Sequence, residues 1–152
     1  MVTNNPEQWP YSLPIFRRSY RATSPNGRIV AEILATNEVS MSNPTVGTLR
    51  LSLGLVIEDC NPSFVWSDDS RYLAVPQFVR RLLFFRKQRM LIVNVEERSV
   101  TASVSTAYYF QPETFSGGLL TVVREPFASA VQQSWQFPAV GASFRPIDAV
   151  WP

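Results

Sequence analysis

Three pairs of adjacent acidic residues are the first features of this chain with potential for chemistry. Asp68-Asp69 and Glu58-Asp59 carry oxygens that calcium would accept, and Glu58-Asp59 and Glu96-Glu97 could supply the carboxylates of a glycosidase-type pair. Adjacent residues of a strand point to opposite faces, so neither of the latter pairs converges on one substrate. No calcium-loop spacing surrounds the acids. We therefore expect turn carboxylates that accept hydrogen bonds from local backbone amides.

Nucleophilic and metal chemistry is limited by what the chain lacks. It has no histidine and one cysteine, Cys60, which excludes Ser-His and Cys-His pairs, most metal sites and any intrachain disulfide. No nucleophile-elbow, phosphate-loop or dinucleotide motif is present, and Ser116-Gly117-Gly118 is predicted to be a turn. We expect no catalytic residue, no metal and no cofactor, and hence a protein that is not an enzyme.

One basic and aromatic segment, residues 78–89, interrupts the strand-like pattern of the rest of the chain. As a helix it places Phe78, Leu82 and Phe85 on one side, and as a hairpin insertion it projects between two strands. Arginine and aromatic side chains are typical of protein interfaces, but cations beside aromatics also bind single-stranded nucleic acid or membrane surfaces. Alternatively, the apolar residues belong to the core and the arginines are solvated. Its candidate partner-binding residues are Arg80, Arg81, Phe84, Phe85, Arg86, Lys87 and Arg89, and the acidic turn residues Asp68 and Asp69 complete the set.

Charge and composition narrow the choice of partner. The net charge is only +2, which argues against nucleic acid and membranes as main partners. Lys87 is the one lysine among 14 basic residues, and arginine makes the planar contacts that suit interfaces. Hydrophobic residues are 45% and charged residues 17% of the chain, so a folded core is expected. We expect another protein as partner, with a homo-oligomer left open.

The N-terminal residues, the apolar stretches and the cysteine content indicate a cellular compartment. Residues Met1–Pro6 show no secretory signal, and no apolar stretch approaches the roughly 20 residues of a membrane span. A lone cysteine fits a reducing compartment. We expect a cytoplasmic protein without a membrane partner.

Stepwise alternation of apolar and polar residues predicts strands over most of the chain. Thr48–Leu53 alternates strictly, which is typical of a half-buried strand. The turn Ser24-Pro25-Asn26-Gly27 and its following strand recur 43 residues later as Ser67-Asp68-Asp69-Ser70 and the strand after it. A period in the low forties with about four strands per unit is the spacing of propeller blades.

The segment from Phe64 to Ala74, followed by Leu91–Val95, resembles a blade of the WD40-like propeller repeats. The unit that begins at Ser24 is similar, although Asp68, Ser70 and Asn94 stand where that family has Pro, Gly and Asp. The resemblance implies four-stranded antiparallel sheets. A closed ring takes about four to eight blades, and 152 residues hold three units and a fraction. We therefore expect an open arrangement whose edges are covered.

The predicted architecture is a single all-β domain, residues 1–152, of blade-like antiparallel sheets packed as an open sandwich or partial propeller. Its expected function is non-catalytic binding of another protein, for instance as a cognate inhibitor such as a bacterial immunity protein. The alternative is a nucleic-acid-associated protein that binds through Arg80–Arg89. The expected parts are a proline-rich arm (1–14), a first repeat unit (15–62), a second repeat unit (63–105), a degraded third unit (106–137) and an irregular tail (138–152).

Overall fold

Antiparallel strands form all the regular secondary structure in the described part of this computed structural model, which covers residues 19–38, 45–81, 84–125, 130–139 and 141–152. The predicted arm, residues 1–14, lies outside that part. The strands are β1 (Ser19–Thr23), β2 (Val30–Glu38), β3 (Thr45–Leu51), β4 (Val56–Cys60), β5 (Val65–Trp66), β6 (Tyr72–Arg81), β7 (Phe84–Asn94), β8 (Ser99–Ser103), β9 (Phe110–Ser116), β10 (Leu119–Arg124), β11 (Val131–Gln136) and β12 (Phe144–Ile147).

Two sheets arise from this order. The larger sheet runs β1-β2-β3-β4-β6-β7-β8-β12, with β5 also paired to β6. Its halves join through one pair, Cys60 with Gln77, so β1–β4 and β5–β8 are two successive antiparallel meanders. The smaller sheet, β11-β10-β9, is a third meander. The three meanders fall within the ranges 15–62, 63–105 and 106–137.

The second meander lies between the other two because β6 and β7 are buried on both faces. Leu73 and Leu91 contribute to a core shared with the first meander, whereas Ala74 and Met90 contribute to a core shared with the third. Successive residues of a strand point to opposite faces, so a continuous apolar run such as Met90–Val93 contributes to both cores. The predicted fold class, all-β with antiparallel sheets packed as an open sandwich, is confirmed.

Two strands were not expected. β4, Val56–Cys60, completes the first meander, and β12, Phe144–Ile147, pairs with β8 inside the tail that the sequence predicts to be irregular. The tail is therefore ordered in part by long-range pairing. Residues 137–152 also supply Phe137 and Phe144 to the second core, with Trp151 packed against the first.

The turns before β2 and β6 have the same hydrogen bonds, 43 residues apart. The Ser24 hydroxyl donates to Asn26 Oδ1 at 2.7 Å, and the Ser67 hydroxyl donates to Asp69 Oδ1 at 2.6 Å. In both turns that acceptor also receives a backbone N–H two residues on, and the serine hydroxyl receives one five residues on. Ser70 has a φ of 63°, close to the 74° of Gly27, so it keeps a conformation that glycine adopts more easily.

Gly54 lets the tail approach the first meander. Its φ is +100°, and a Cβ added there would collide with the Cγ atom of Pro152. The Pro152 carbonyl also accepts a hydrogen bond from Arg98 Nη1 at 3.2 Å. The tail is thus held against turns from both of the first two meanders.

Substitution of Gly54 tests this contact, with Gly27 as the matched control. Gly27→Ala meets no atom within 4 Å, so it should cost only the left-handed conformation, about 1–2 kcal/mol. Gly54→Ala should lower the free energy of unfolding by about 1–3 kcal/mol more, because Pro152 must move. Urea titration of both variants measures the difference. Equal losses would show that Pro152 is not held against Gly54.

Candidate functional site

The predicted basic segment forms the outer part of the β6–β7 hairpin. Arg80 pairs with Phe85 and Arg81 with Phe84, so the helical alternative is wrong for these residues. The hairpin alternative agrees with this pairing, although the hairpin is an extension of β6 and β7 themselves and not a separate insertion between two strands. Leu82 and the side chains of residues 80–86 lie outside the described part of the structure.

This hairpin continues beyond the sheet that contains it. Gln77 pairs with β4, and Gln88 forms a bridge to Ala107. From Val79–Lys87 outward, the described residues show pairing between β6 and β7 alone. A register shift after Val79 leaves an extra residue in β7, which increases the local twist. We call this two-stranded part, residues 79–81 and 84–87, the basic ribbon.

Two predicted cations near the base of the ribbon have described side chains. Lys87 Nζ lies 5.7 Å from the ring centroid of Tyr108, whose side chain is 59% exposed. This places a cation and an accessible aromatic ring side by side. Arg89 Nε donates to Gln77 Oε1 at 2.8 Å, and partial burial lowers the pKa of Arg89. Lys87 is therefore available to a partner, whereas the Arg89 side chain forms a hydrogen bond between β7 and β6.

The two predicted acidic residues stabilise the fold. Asp69 Oδ1 accepts hydrogen bonds from Ser67 Oγ and from the Arg71 backbone N–H, as expected of a turn aspartate. Asp68 Oδ2 accepts from Ser116 Oγ at 3.0 Å and from the Gly117 N–H at 3.1 Å, so it joins the second meander to the third. The Gly117 N–H, followed by the Ser116 hydroxyl, lowers the pKa of Asp68.

The structure does not bring the acidic turn and the basic ribbon together. The turn precedes β6 and the ribbon ends it, and the ten residues of β6 span roughly 33 Å at about 3.3 Å per residue. Asp68 and Arg81 therefore belong to opposite ends of the same strand. This separation makes the acidic turn and the basic ribbon two separate candidate surfaces.

A cleft of about 290 Å³ beside the acidic turn was missed from the sequence. Its rim carries Arg71, which lies 3.3 Å from a Glu96 oxygen and 3.7 Å from a Glu97 oxygen. Its wall includes the polar side chains of Asn94 and Thr101. These groups could hydrogen-bond a small polar ligand. The paired glutamates were visible in the sequence, but the approach of Phe137, Pro138, Ala139 and Gly141 to line the cleft was not.

The remaining candidates for chemistry are not assembled into a site. Cys60 is a fully buried thiol, and burial, followed by the nearby Asp59 charge, raises its pKa far above the usual range. It is therefore a poor nucleophile. Among the described residues, no group of three or more acidic or cysteine side chains could hold a metal ion.

Comparisons with known proteins give no relative for this chain. No protein-family model, no curated protein and no solved structure matches it. The described residues also include no helix with the length and apolar character needed to cross a membrane. The functional argument therefore depends on the geometry of the chain itself.

The depressed pKa of Asp68 gives a pH-dependent prediction. Its ionised form is favoured in the folded state, so its contribution is present above the unfolded-state pKa and is lost as the pH falls through the lower folded-state pKa. We expect Asp68→Asn to lower the free energy of unfolding at neutral pH, with a difference from wild type that shrinks in acid. Urea titration across pH measures it, with Asp148→Asn at an exposed position as control. A difference that is independent of pH would contradict this role for the Asp68 charge.

Proposed function

We propose that this chain is a non-catalytic protein-binding module that contacts its partner through the basic ribbon. The observation that carries the proposal is the extension of β6 and β7 beyond the sheet, where the described residues pair only with each other. A two-stranded ribbon is marginal in water on its own. We therefore interpret this ribbon as a binding element rather than a stabilising one.

The residue types along the ribbon favour an acidic partner surface. Residues 78–89 contain five cations and no acid, and Phe84 and Phe85 lie at the outermost described positions of β7. Arginine and aromatic residues are the types that dominate binding energy in protein interfaces. Lys87, beside the exposed ring of Tyr108, extends the same chemistry to the base of the ribbon.

A cognate inhibitor, such as a bacterial immunity protein, is the specific form of this function that we propose. Such a protein must present a fixed element to a partner's site, and a hairpin anchored in a doubly buried meander meets that need. The acidic turn is less suited, because Asp68 and Asp69 already accept hydrogen bonds within the fold. The exposed Glu96 and Glu97 are paired with Arg71.

Binding of nucleic acid is the second candidate, and the ribbon geometry favours it specifically. A two-stranded β-ribbon fits the major groove of B-form DNA, and cations along it can neutralise phosphates. Salt separates the two functions. Phosphate contacts weaken linearly on a log–log plot of affinity against salt, whereas a mixed apolar and polar interface weakens less.

The WD40-like resemblance concerns the repeat relationship between the first two meanders. We infer that the first and second meanders are related blade-like units, and the matched hydrogen bonds at Ser24 and Ser67 support this. A cytoplasmic location is part of the same proposal, supported by the buried free thiol of Cys60.

Charge reversal on the ribbon tests the proposed binding surface. We expect Arg80→Glu with Arg81→Glu to weaken partner capture from a native host extract by about tenfold or more, because two contact cations become anions. Arg89 is left unchanged, since it bonds Gln77. The matched control is Arg28→Glu with Arg145→Glu, which reverses two exposed arginines elsewhere. Quantitative pull-down, analysed for both protein and nucleic acid, is the measurement.

Each outcome of that experiment decides between defined alternatives. Loss of one stoichiometric protein partner in the ribbon variant alone supports the module. A salt-sensitive nucleic-acid partner whose log–log slope falls by about 2 in the ribbon variant supports the second candidate. Equal binding by the ribbon variant and the control rules out the basic ribbon as the contact surface.

A further inference from the structure

The open edges of the two sheets differ in how they are protected from pairing with another chain. Natural edge strands carry charges, prolines or bulges that prevent such pairing. β12 contains Arg145 and Pro146, β9 contains Pro112 with a register shift, and β1 contains the exposed Arg21. Three of the four edges in the described part of the structure therefore carry such a device.

The fourth edge, β11, carries none of them. Its sequence from Val131 to Gln136 has no charged residue and no proline, and its register with β10 is unbroken over six pairs. No described residue pairs with its other side. Val131 is 57% exposed, so the described residues do not cover the beginning of the strand. Within the described part of the structure, β11 is therefore a regular strand with an open edge.

The surroundings of this edge are almost uncharged. Across β9, β10 and β11, the only charged residues are Glu113 and Arg124. The register places Gln132, Ser134 and Gln136 on the outer face of β11, in rows with other uncharged residues. An acidic or basic partner would find no charge complement here. A second copy of the chain would meet no like charge.

We propose that two copies of this chain associate through β11, antiparallel, to form one continuous six-stranded sheet. A two-fold axis perpendicular to the sheet keeps each face on its own side, so Gln132, Ser134 and Gln136 meet the same set of residues from the second copy. Amides and hydroxyls both donate and accept hydrogen bonds, which makes this set complementary to itself. The open backbone groups of both strands become paired.

The extent of the edge sets the strength of the association. Pairing of one six-residue strand buries less than the roughly 1,200 Å² of total surface found in stable complexes. The dimer should therefore dissociate on dilution. This inference goes beyond the proposed function, because β11 and the basic ribbon belong to different sheets and can act independently.

Sedimentation velocity over a range of protein concentrations tests the proposal on the full chain. We expect a reversible monomer–dimer equilibrium for wild type. Gln132→Lys with Ser134→Lys should weaken it by about tenfold or more, since like charges then face each other across the axis. The control, Thr23→Lys with Ser143→Lys, adds the same charge at exposed positions outside the smaller sheet and should leave the equilibrium unchanged. Circular dichroism and thermal unfolding establish that both variants fold.

Hydrogen exchange identifies the edge directly. Backbone amides of Val131–Gln136 should exchange more slowly in concentrated than in dilute wild-type samples. A chain that stays monomeric at all concentrations overturns the proposal, as does a dimer that both double variants form equally well. A monomeric chain whose β11 cross-links to a different protein overturns it too, and assigns the edge to that protein.

Discussion

Burial of β6 and β7 on both faces is the constraint on which the rest of this structure depends. Leu73 and Leu91 face one core, and Ala74 and Met90 face the other, all with essentially no exposure. A sheet with two apolar faces must be covered twice. The first meander covers one face and the third covers the other, so the three-layer order follows from the alternation within two strands. Phe137 at the end of the third meander and Phe144 in the tail complete the second core.

Polar contacts between turns hold these layers in register at one end. The Asn26 N–H donates to Ser70 Oγ at 2.9 Å, and Trp66 Nε1 donates to the Ala22 carbonyl at 3.2 Å, joining the first and second meanders. Asp68 joins the second meander to the third. Hydrophobic burial is not directional, whereas these hydrogen bonds fix how far one sheet can slide over the next. Asp68 thus contributes to packing between two meanders, although the sequence suggested that it contacts a partner.

Local signals predicted most of the strands and turns, and long-range pairing explains what they missed. The turn at Ser24 was predictable because Pro, Asn and Gly have defined conformational preferences. β12 was not, because Phe144–Ile147 contains a proline and becomes a strand only by pairing with β8. The basic segment was ambiguous because its apolar residues fit both a helical and an extended period. The cleft at Arg71 needed the position of the tail, which no local pattern contains.

The separation of acidic and basic groups along β6 also explains why function is assigned to one end of it. At the turn, the carboxylates of Asp68 and Asp69 accept hydrogen bonds from the chain itself, and Glu96 and Glu97 flank Arg71. A partner that bound these carboxylates would therefore compete with interactions they already make within the chain. At the other end, the described residues beyond Val79 and Lys87 pair only between β6 and β7, and residues 78–89 contain five cations and no acid. We therefore place the proposed partner contact at this end, where the pairing of β6 with β7 continues past Gln77 and Gln88 to Arg81 and Phe84.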